Sequence, residues 1–275
     1  MSPLWRDRYV AVLGSHAACL AHCPWGVSDR VRLLGRTEWE HGGPAPEWSR
    51  GLEALAGLLE AVPTRRGNLV TVLASRFVRF RLLPWSEEIG SPKELEAYAR
   101  LRFEEVYGAA AADWVVRMSP EAAGRPRLAA AMERGLMDGL GECARNAGCR
   151  VGSIQPYLMA AFNRLRHNIR TNDFIFAVAE PDRGSLLVRR AGIWVNVRSA
   201  AAMDSDEALA ALIARECELQ GLDVGAIPPV FVHAPDRTPV PAPMINGVAP
   251  RALKLAMPAG ADPGDPLFTM ARAAT

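Results

Sequence analysis

The chain has 275 residues, of which 49% are hydrophobic and 23% charged, and its formal net charge is +2 at pH 7. A chain of this length and composition can bury a large globular core in one domain or two. The nearly balanced charge argues against a nucleic-acid-binding protein and against attachment to an anionic membrane by charge alone.

Cysteine usage and hydropathy together indicate the cytoplasm. The five cysteines are an odd number, with no signal peptide and no short disulfide-type spacing, which is typical of a reducing compartment. Cys19, His22 and Cys23 lack a second ligand pair at zinc spacing, so we expect buried strand cysteines and no metal site. No run approaches the ~18 apolar residues that a membrane-spanning helix needs, so we expect no direct membrane insertion.

Hydrophobic patterning predicts that the chain begins with strands. We expect two strands within 8–24 joined at Gly14–Ser15, a third at 31–39, a helix at 48–62, and one long or two short strands at 69–83. The helix at 48–62 is predicted from leucines that recur at helical spacing. Pro84 ends the last strand, because proline cannot donate to a sheet ladder.

The best-defined local signal follows at residues 91–108. Ser91, Pro92 and Glu94 have the spacing of a capping box with proline at the first helical position. Apolar residues then recur at helical spacing, and Gly108 supplies the glycine that commonly ends a helix. We therefore predict a helix over 92–107.

The order of elements in the first half returns in the second. Between the halves we predict strands at 113–118, 127–132 and 149–155 and helices at 134–146 and 157–168. The second half has predicted strands at 174–179, 185–189, 193–198 and 229–233, with a helix at 206–220 before the last strand. Each half therefore follows the order β-β-β-α-β. A proline-rich remainder could hold one strand at 251–257 and a short terminal helix.

This duplicated α/β order resembles the actin-like ATPase fold, in which two RNase H-like lobes face each other across a nucleotide cleft. Within that group, ELEAYARLRFEEVYG, then DWVVRM, then ERGLMDGLGECARNAGCRVGSIQPYLMAAFNRL resemble the cytoplasmic actin-like proteins of bacterial type IV pilus and type II secretion platforms. The resemblance covers about residues 8–233 in layout and about 76–167 in motif.

The resemblance also implies a division of the chain. It predicts a first lobe at 1–170, with a small strand-helix-strand insertion at about 84–156. The second lobe is predicted at 171–275, with a proline-rich C-terminal segment at 234–275.

The first of the two hairpins that bind ATP in this fold is degenerate here. Gly14 and Ser15 are kept, but Val12 stands where the family has Asp and Cys19 where it has Lys. The missing acid would hold the metal and orient water, and the missing cation would face the phosphates.

The second hairpin lacks a carboxylate at the predicted end of its first strand, Ala179. Glu180 and Asp182 follow it and are explained as turn formers. We therefore expect a non-catalytic protein with no cofactor. The alternative is an ATP-dependent enzyme or ATP-binding protein of the actin and hexokinase superfamily.

Arg79, Arg81, Tyr98 and Arg102 are the predicted partner-binding residues. In the platform families a groove beside the inserted domain takes the cytoplasmic N-terminal peptide of a membrane partner. Arginine and aromatic residues are the types that dominate interface energetics. An amphipathic strand with solvated arginines explains the same pattern without a partner.

The resemblance thus implies a scaffold of an inner-membrane assembly platform, cytoplasmic and held at the membrane through its partner. An assembly ATPase and a second copy of the chain are further candidate partners, and nucleic acid is not expected.

Overall fold

The structure, a computed structural model, describes residues 7–24, 30–40, 46–62, 67–201, 205–235, 244–258, 262 and 264–275. Its strands are β1 (Arg8–Leu13), β2 (Ala17–Cys23), β3 (Arg32–Glu38), β4 (Asn68–Leu73), β5 (Arg79–Leu83), β6 (Trp114–Met118), β7 (Arg127–Glu133), β8 (Arg150–Pro156), β9 (Phe174–Glu180), β10 (Arg183–Arg190), β11 (Ile193–Ala201), β12 (Val230–His233) and β13 (Arg251–Ala252). Its helices are α1 (Glu47–Glu60), α2 (Pro92–Tyr107), α3 (Arg134–Asn146), α4 (Tyr157–Leu165), α5 (Asp206–Leu219) and α6 (Pro266–Ala273).

Two five-stranded sheets share one topology. The first sheet has the order β3-β2-β1-β4-β8 and the second the order β11-β10-β9-β12-β13. In each, three consecutive strands pair antiparallel and the remaining two join in parallel. The duplicated order predicted from the sequence is therefore confirmed.

The first sheet is covered on both faces. Along β1, Tyr9, Ala11 and Leu13 pack towards α1 and α3, while Val10 and Val12 pack towards α4 and α6. This alternation follows from the two-residue period of a strand. Because both faces are buried, β1 carries almost no polar side chain.

Helix α4 joins the two sheets. Its Phe162 ring lies 5.9 Å from Phe174, 5.5 Å from Phe176 and 5.3 Å from Trp194, all on the second sheet. Its Tyr157 and Leu158 belong to the same buried cluster as Val10 and Val12 of the first sheet. Helix α5 packs on the opposite face of the second sheet.

Residues 79–133, hereafter the insertion, form a third sheet with the order β5-β7-β6. Helix α2 covers one of its faces, with Ala99 and Phe103 fully buried against Leu83 and Val116. The predicted cap is confirmed: Ser91 Oγ accepts from the Glu94 N–H at 3.3 Å and Glu94 Oε2 accepts from the Ser91 N–H at 3.1 Å. The capping box fixes where α2 starts on this sheet.

The insertion differs from the predicted boundaries of about 84–156. Its first strand, β5, starts at Arg79, because a single 3-10 turn at Ser75–Phe77 separates it from β4. At the other end, β8 pairs in parallel with β4 in the first sheet, and α3 packs on α1. Pairing between segments so far apart in sequence leaves no local signal. A division of the chain near residue 170 stays a prediction.

The C-terminal segment also differs from prediction. Helix α6 packs on β1, β2 and α4 of the first half, although residues 171–275 were assigned to the second lobe. The strand predicted at 251–257 is limited to Arg251–Ala252. Residues 236–243 of the proline-rich segment lie outside the described residues. Within the described part of the chain, no helix is both long and apolar enough to cross a membrane.

A buried hydrogen-bonded chain connects α4 to the second sheet. Tyr157 Oη lies 2.7 Å from His233 Nε2, and His233 Nδ1 lies 2.9 Å from the Leu253 carbonyl oxygen. The carbonyl can only accept, so Nδ1 carries the proton and Nε2 accepts from the tyrosine hydroxyl. Burial lowers the pKa of His233 to about 4, against the smaller opposing effect of the Leu253 hydrogen bond. His233 is therefore a structural residue.

Replacing Tyr157 with Phe should lower the free energy of unfolding by about 1–3 kcal/mol, because His233 Nε2 would be buried without a donor. Urea unfolding followed by circular dichroism measures this change. The matched control is Tyr107→Phe at an exposed position, which should change stability by less than ~0.5 kcal/mol. Equal stability of the two variants would contradict the role given to this hydrogen bond.

Candidate functional site

The first hairpin is packed against the C-terminal helix. The Gly14 N–H donates to the Ala17 carbonyl at 2.8 Å and closes the turn between β1 and β2. A Cβ at Gly14 would lie 2.9 Å from both the Ala17 oxygen and Leu267 Cδ2 of α6, so only glycine fits there. Ser15 is also buried. The leucine side chain therefore covers the glycine that the resemblance assigns to a phosphate.

Val12 and Cys19, which replace the acid and the cation of the family pattern, are opposite each other in the β1–β2 ladder. Both are fully buried in the core beneath α4 and α6. Burial raises the pKa of the Cys19 thiol, with a smaller effect from Asp265 in the same direction, and keeps the thiol neutral. These two side chains serve packing.

The second hairpin corrects one expectation. Strand β9 extends to Glu180, so a carboxylate does end the first strand of this hairpin, one residue beyond the predicted end. Its side chain is 1% exposed and accepts from the Ser75 N–H, at 2.9 Å to Oε2 and 3.2 Å to Oε1. Glu180 is thus neither a solvated turn residue nor directed at an open cleft, because it binds the first half of the chain.

Arginines surround this contact. Arg76 Nη1 lies 3.1 Å from Asp182 Oδ2, and the other terminal nitrogen of Arg76 pairs with Glu47 of α1. Arg183, half-buried beside them, has a lowered pKa because of burial and, secondarily, the nearby charge of Arg79. The second hairpin is therefore tied to the first half by hydrogen bonds and ion pairs where the resemblance puts the phosphates.

Burial raises the pKa of Glu180 to about 7, although the hydrogen bonds from Ser75 oppose this effect. The folded state therefore favours the protonated acid. Its contribution to stability is complete below the ordinary value of 4.5 and is lost as the pH rises through about 7.

Glu180→Gln should remove this pH dependence, because the amide stays neutral and its oxygen can still accept from Ser75. Relative to the variant, the wild type should lose about 3 kcal/mol of unfolding free energy between pH 4.5 and pH 8. Urea titrations at closely spaced pH values measure the two curves. Glu53→Gln, at an exposed position of α1, should follow the wild type, and parallel curves for Glu180→Gln would refute the assignment.

The four residues predicted to bind a partner lie on two elements of the insertion, Arg79 and Arg81 on β5 and Tyr98 and Arg102 on α2. Arg79, Arg81 and Leu83 lie on the α2 face of the insertion sheet, opposite Ala131, Ala129 and Arg127 of β7. Arg79 Nη1 donates to the Arg76 carbonyl at 2.6 Å. Strand β5, an edge strand of the insertion sheet, also contacts β11 of the second sheet.

The α2 residues of this set have structural contacts of their own. Tyr98 packs against the buried cluster of the insertion, and Arg102 pairs with Glu105 at 2.6 Å on the same helix. Phe103 is fully buried in the core of the insertion. The binding role of Arg79, Arg81, Tyr98 and Arg102 stays a prediction.

The opposite face of the insertion sheet borders a groove that the sequence analysis missed. The groove, hereafter the apolar groove, has a volume of about 490 Å³ and lies where the insertion, α4 and β11 meet. Its floor is formed by apolar side chains from these elements: Phe80, Met118, Leu128, Ala130, Met159, Phe162 and Trp194. Five separate segments of the chain line the groove, so no local sequence motif could have predicted it.

Trp194 has a fixed orientation at the rim of the apolar groove. The Trp194 Nε1 donates to Glu121 Oε1 at 3.1 Å. The guanidinium of Arg189, on the neighbouring strand β10, lies 5.2 Å from the centroid of the Trp194 ring. An indole held by a hydrogen bond and a cation contact presents apolar surface at low entropic cost. The groove can bind bulky apolar side chains; among the described residues, no cluster of His, Cys, Asp or Glu could hold a metal.

The fold is that of actin-like ATPases. A solved structure from Bacteroides thetaiotaomicron, a protein with actin-like ATPase fold and unknown function, is 10% identical, covers 86% of this chain and 86% of its own, and has a TM-score of 0.58. The duplicated RNase H-like architecture predicted from the sequence is thereby confirmed. Comparison with protein-family models and with curated proteins finds no match.

Two further similar structures come from pilus and secretion systems. A chain of the PilM–PilN type IV pilus biogenesis complex is 16% identical, covers 97% of this chain and 96% of its own, and has a TM-score of 0.65. The cytoplasmic domain of EpsL, an inner-membrane component of the type II secretion system of Vibrio cholerae, is 13% identical with a TM-score of 0.59. It covers 96% of this chain and 92% of its own.

Proposed function

We propose that this chain is a non-catalytic scaffold of a type IV pilus or type II secretion platform that binds a peptide of a membrane partner. The observation that carries the proposal is the apolar groove between the insertion, α4 and β11. It is an open cavity with an apolar floor, which is the kind of surface that binds an extended segment with bulky side chains. Similarity in fold to platform components supports this proposal.

The groove also explains how a chain of this kind could be held at the inner membrane. A cytoplasmic peptide of a membrane protein, bound beside the insertion, would tether the scaffold to the membrane. An assembly ATPase or a second copy of the chain would then use other surfaces.

A working ATPase is the alternative, and the hairpins argue against it. Leu267 covers Gly14, and Glu180 is buried and accepts from the Ser75 N–H. Neither hairpin presents a free carboxylate to Mg²⁺ or to the attacking water, which phosphoryl transfer requires. We infer that the fold serves assembly in this chain.

Purified protein with Mg²⁺ and ATP should therefore release no phosphate above a buffer control. A coupled phosphate assay with the wild type and Glu180→Gln tests this expectation. Turnover by the wild type that the Gln variant loses would show that Glu180 acts on a nucleotide, and it would favour the enzyme alternative.

Met159→Glu should weaken peptide binding at least tenfold, because it puts a charge on the floor of the apolar groove, where Met159 is only partly buried against the core. Binding is measured by fluorescence anisotropy with labelled cytoplasmic N-terminal peptides of single-span membrane proteins encoded beside this chain. The control is Leu101→Glu, which makes the same change at a leucine that is 54% exposed on α2 and should bind like the wild type. Thermal unfolding checks that each variant is folded.

Arg79→Glu and Arg102→Glu test the surface predicted from the sequence in the same assay. Loss of binding in these two variants, with Met159→Glu unaffected, would assign the peptide to the α2 face of the insertion and reject the apolar groove. Equal binding by all variants would reject both surfaces.

A further inference from the structure

The apolar groove continues into a second cavity of different chemistry, hereafter the arginine cavity. It has a volume of about 390 Å³ and shares Glu121, Phe162, Arg166 and Trp194 with the apolar groove. The rest of its lining comes from the segment after α4, from the start of β9 and from β10: Ile169, Arg170, Thr171, Asn172, Phe174 and Arg189.

The charges in the arginine cavity are unbalanced. Arg166, Arg170 and Arg189 line it, and Glu121 is its one acidic lining residue. Glu121 is already engaged by Trp194 Nε1. Among the described residues, none of the three arginines forms an ion pair, and Arg189 donates only to the Gly192 carbonyl, at 3.0 Å. The excess of positive charge has no internal counterpart.

A neighbouring polar group suits the same kind of ligand. Asn172 brings a side-chain amide to the wall of the arginine cavity, where it can donate hydrogen bonds to an anion, whereas the Thr171 hydroxyl donates to the Asp173 carbonyl at 3.2 Å. Guanidinium groups bind carboxylates in a bidentate arrangement, which lysine cannot reproduce. The site therefore favours carboxylates over neutral polar groups.

We infer that the bound segment is acidic: its apolar side chains occupy the apolar groove, and adjacent Asp or Glu side chains enter the arginine cavity. This inference rests on the proposed function and adds the chemistry that selects the partner. The two cavities adjoin at Phe162 and Trp194. The apolar residues and the carboxylates must therefore be next to each other in the sequence of the bound segment. Two unrelated ligands that bound separately would not require the two cavities to share a wall.

The test uses two labelled synthetic 12-residue peptides with the same leucine and phenylalanine anchors, one followed by three Glu and the other by three Gln. Anisotropy should show at least tenfold tighter binding of the Glu peptide to the wild type. The preference should shrink when NaCl is raised from 50 to 300 mM, since exposed ion pairs are screened. Equal affinity for the two peptides, or no binding of the Glu peptide, overturns the inference.

The double variant Arg166→Gln/Arg170→Gln should abolish the preference, so that the Glu peptide and the Gln peptide bind to it with equal affinity. The control Arg150→Gln/Arg215→Gln removes the same charge from exposed arginines outside both cavities and should keep the preference. Met159→Glu should weaken both peptides, which separates failure of the apolar groove from failure of the arginine cavity. Retention of the preference by Arg166→Gln/Arg170→Gln, or tighter binding of labelled oligothymidylate than of the Glu peptide, would also overturn the inference.

Discussion

Helix α4 is the element on which the arrangement of this molecule depends. Its nine residues pack against the first sheet through Tyr157 and Leu158, and against the second sheet through Phe162. Edge-to-face and stacked aromatic pairs at 5–6 Å add to the area buried in such a joint. The apolar groove also takes Met159 and Phe162 of α4 as part of its floor. The same helix therefore holds the halves together and shapes the site between them.

Two buried titratable groups near this joint act in opposite directions. Glu180, with a pKa raised to about 7, stabilises the fold most at low pH, whereas His233, with a pKa lowered to about 4, stabilises it most above the ordinary value of 6.5. As the pH rises from about 4.5 to 6.5, one contribution falls while the other grows. The two contributions to the free energy of unfolding therefore oppose each other over this pH range.

The helices and strands could be predicted from local signals in the sequence, but the long-range contacts between them could not. The capping box at Ser91 and the glycine at Gly108 fixed α2 because both act within a few residues. Glu180 was misjudged because its partner, the Ser75 N–H, is 105 residues away in sequence. The return of α6 to the first sheet likewise leaves no trace in the local pattern of residues 266–273. The apolar groove was missed for the same reason, since none of the segments that form its walls has a distinctive sequence motif.

The distribution of charge gives the strongest physical argument about what this actin-like fold does. A site for Mg²⁺ and phosphate needs carboxylates for the metal as well as cations for the phosphate. Around the hairpins of this chain, Arg76, Arg79 and Arg183 remain, but Glu180 is buried and bound to the Ser75 N–H, and Asp182 is paired with Arg76. Both carboxyl groups of the second hairpin are thus engaged by the first half of the chain. Under the proposed function, Arg166, Arg170 and Arg189, which line the arginine cavity beside the apolar groove, would serve recognition of another polypeptide instead of catalysis.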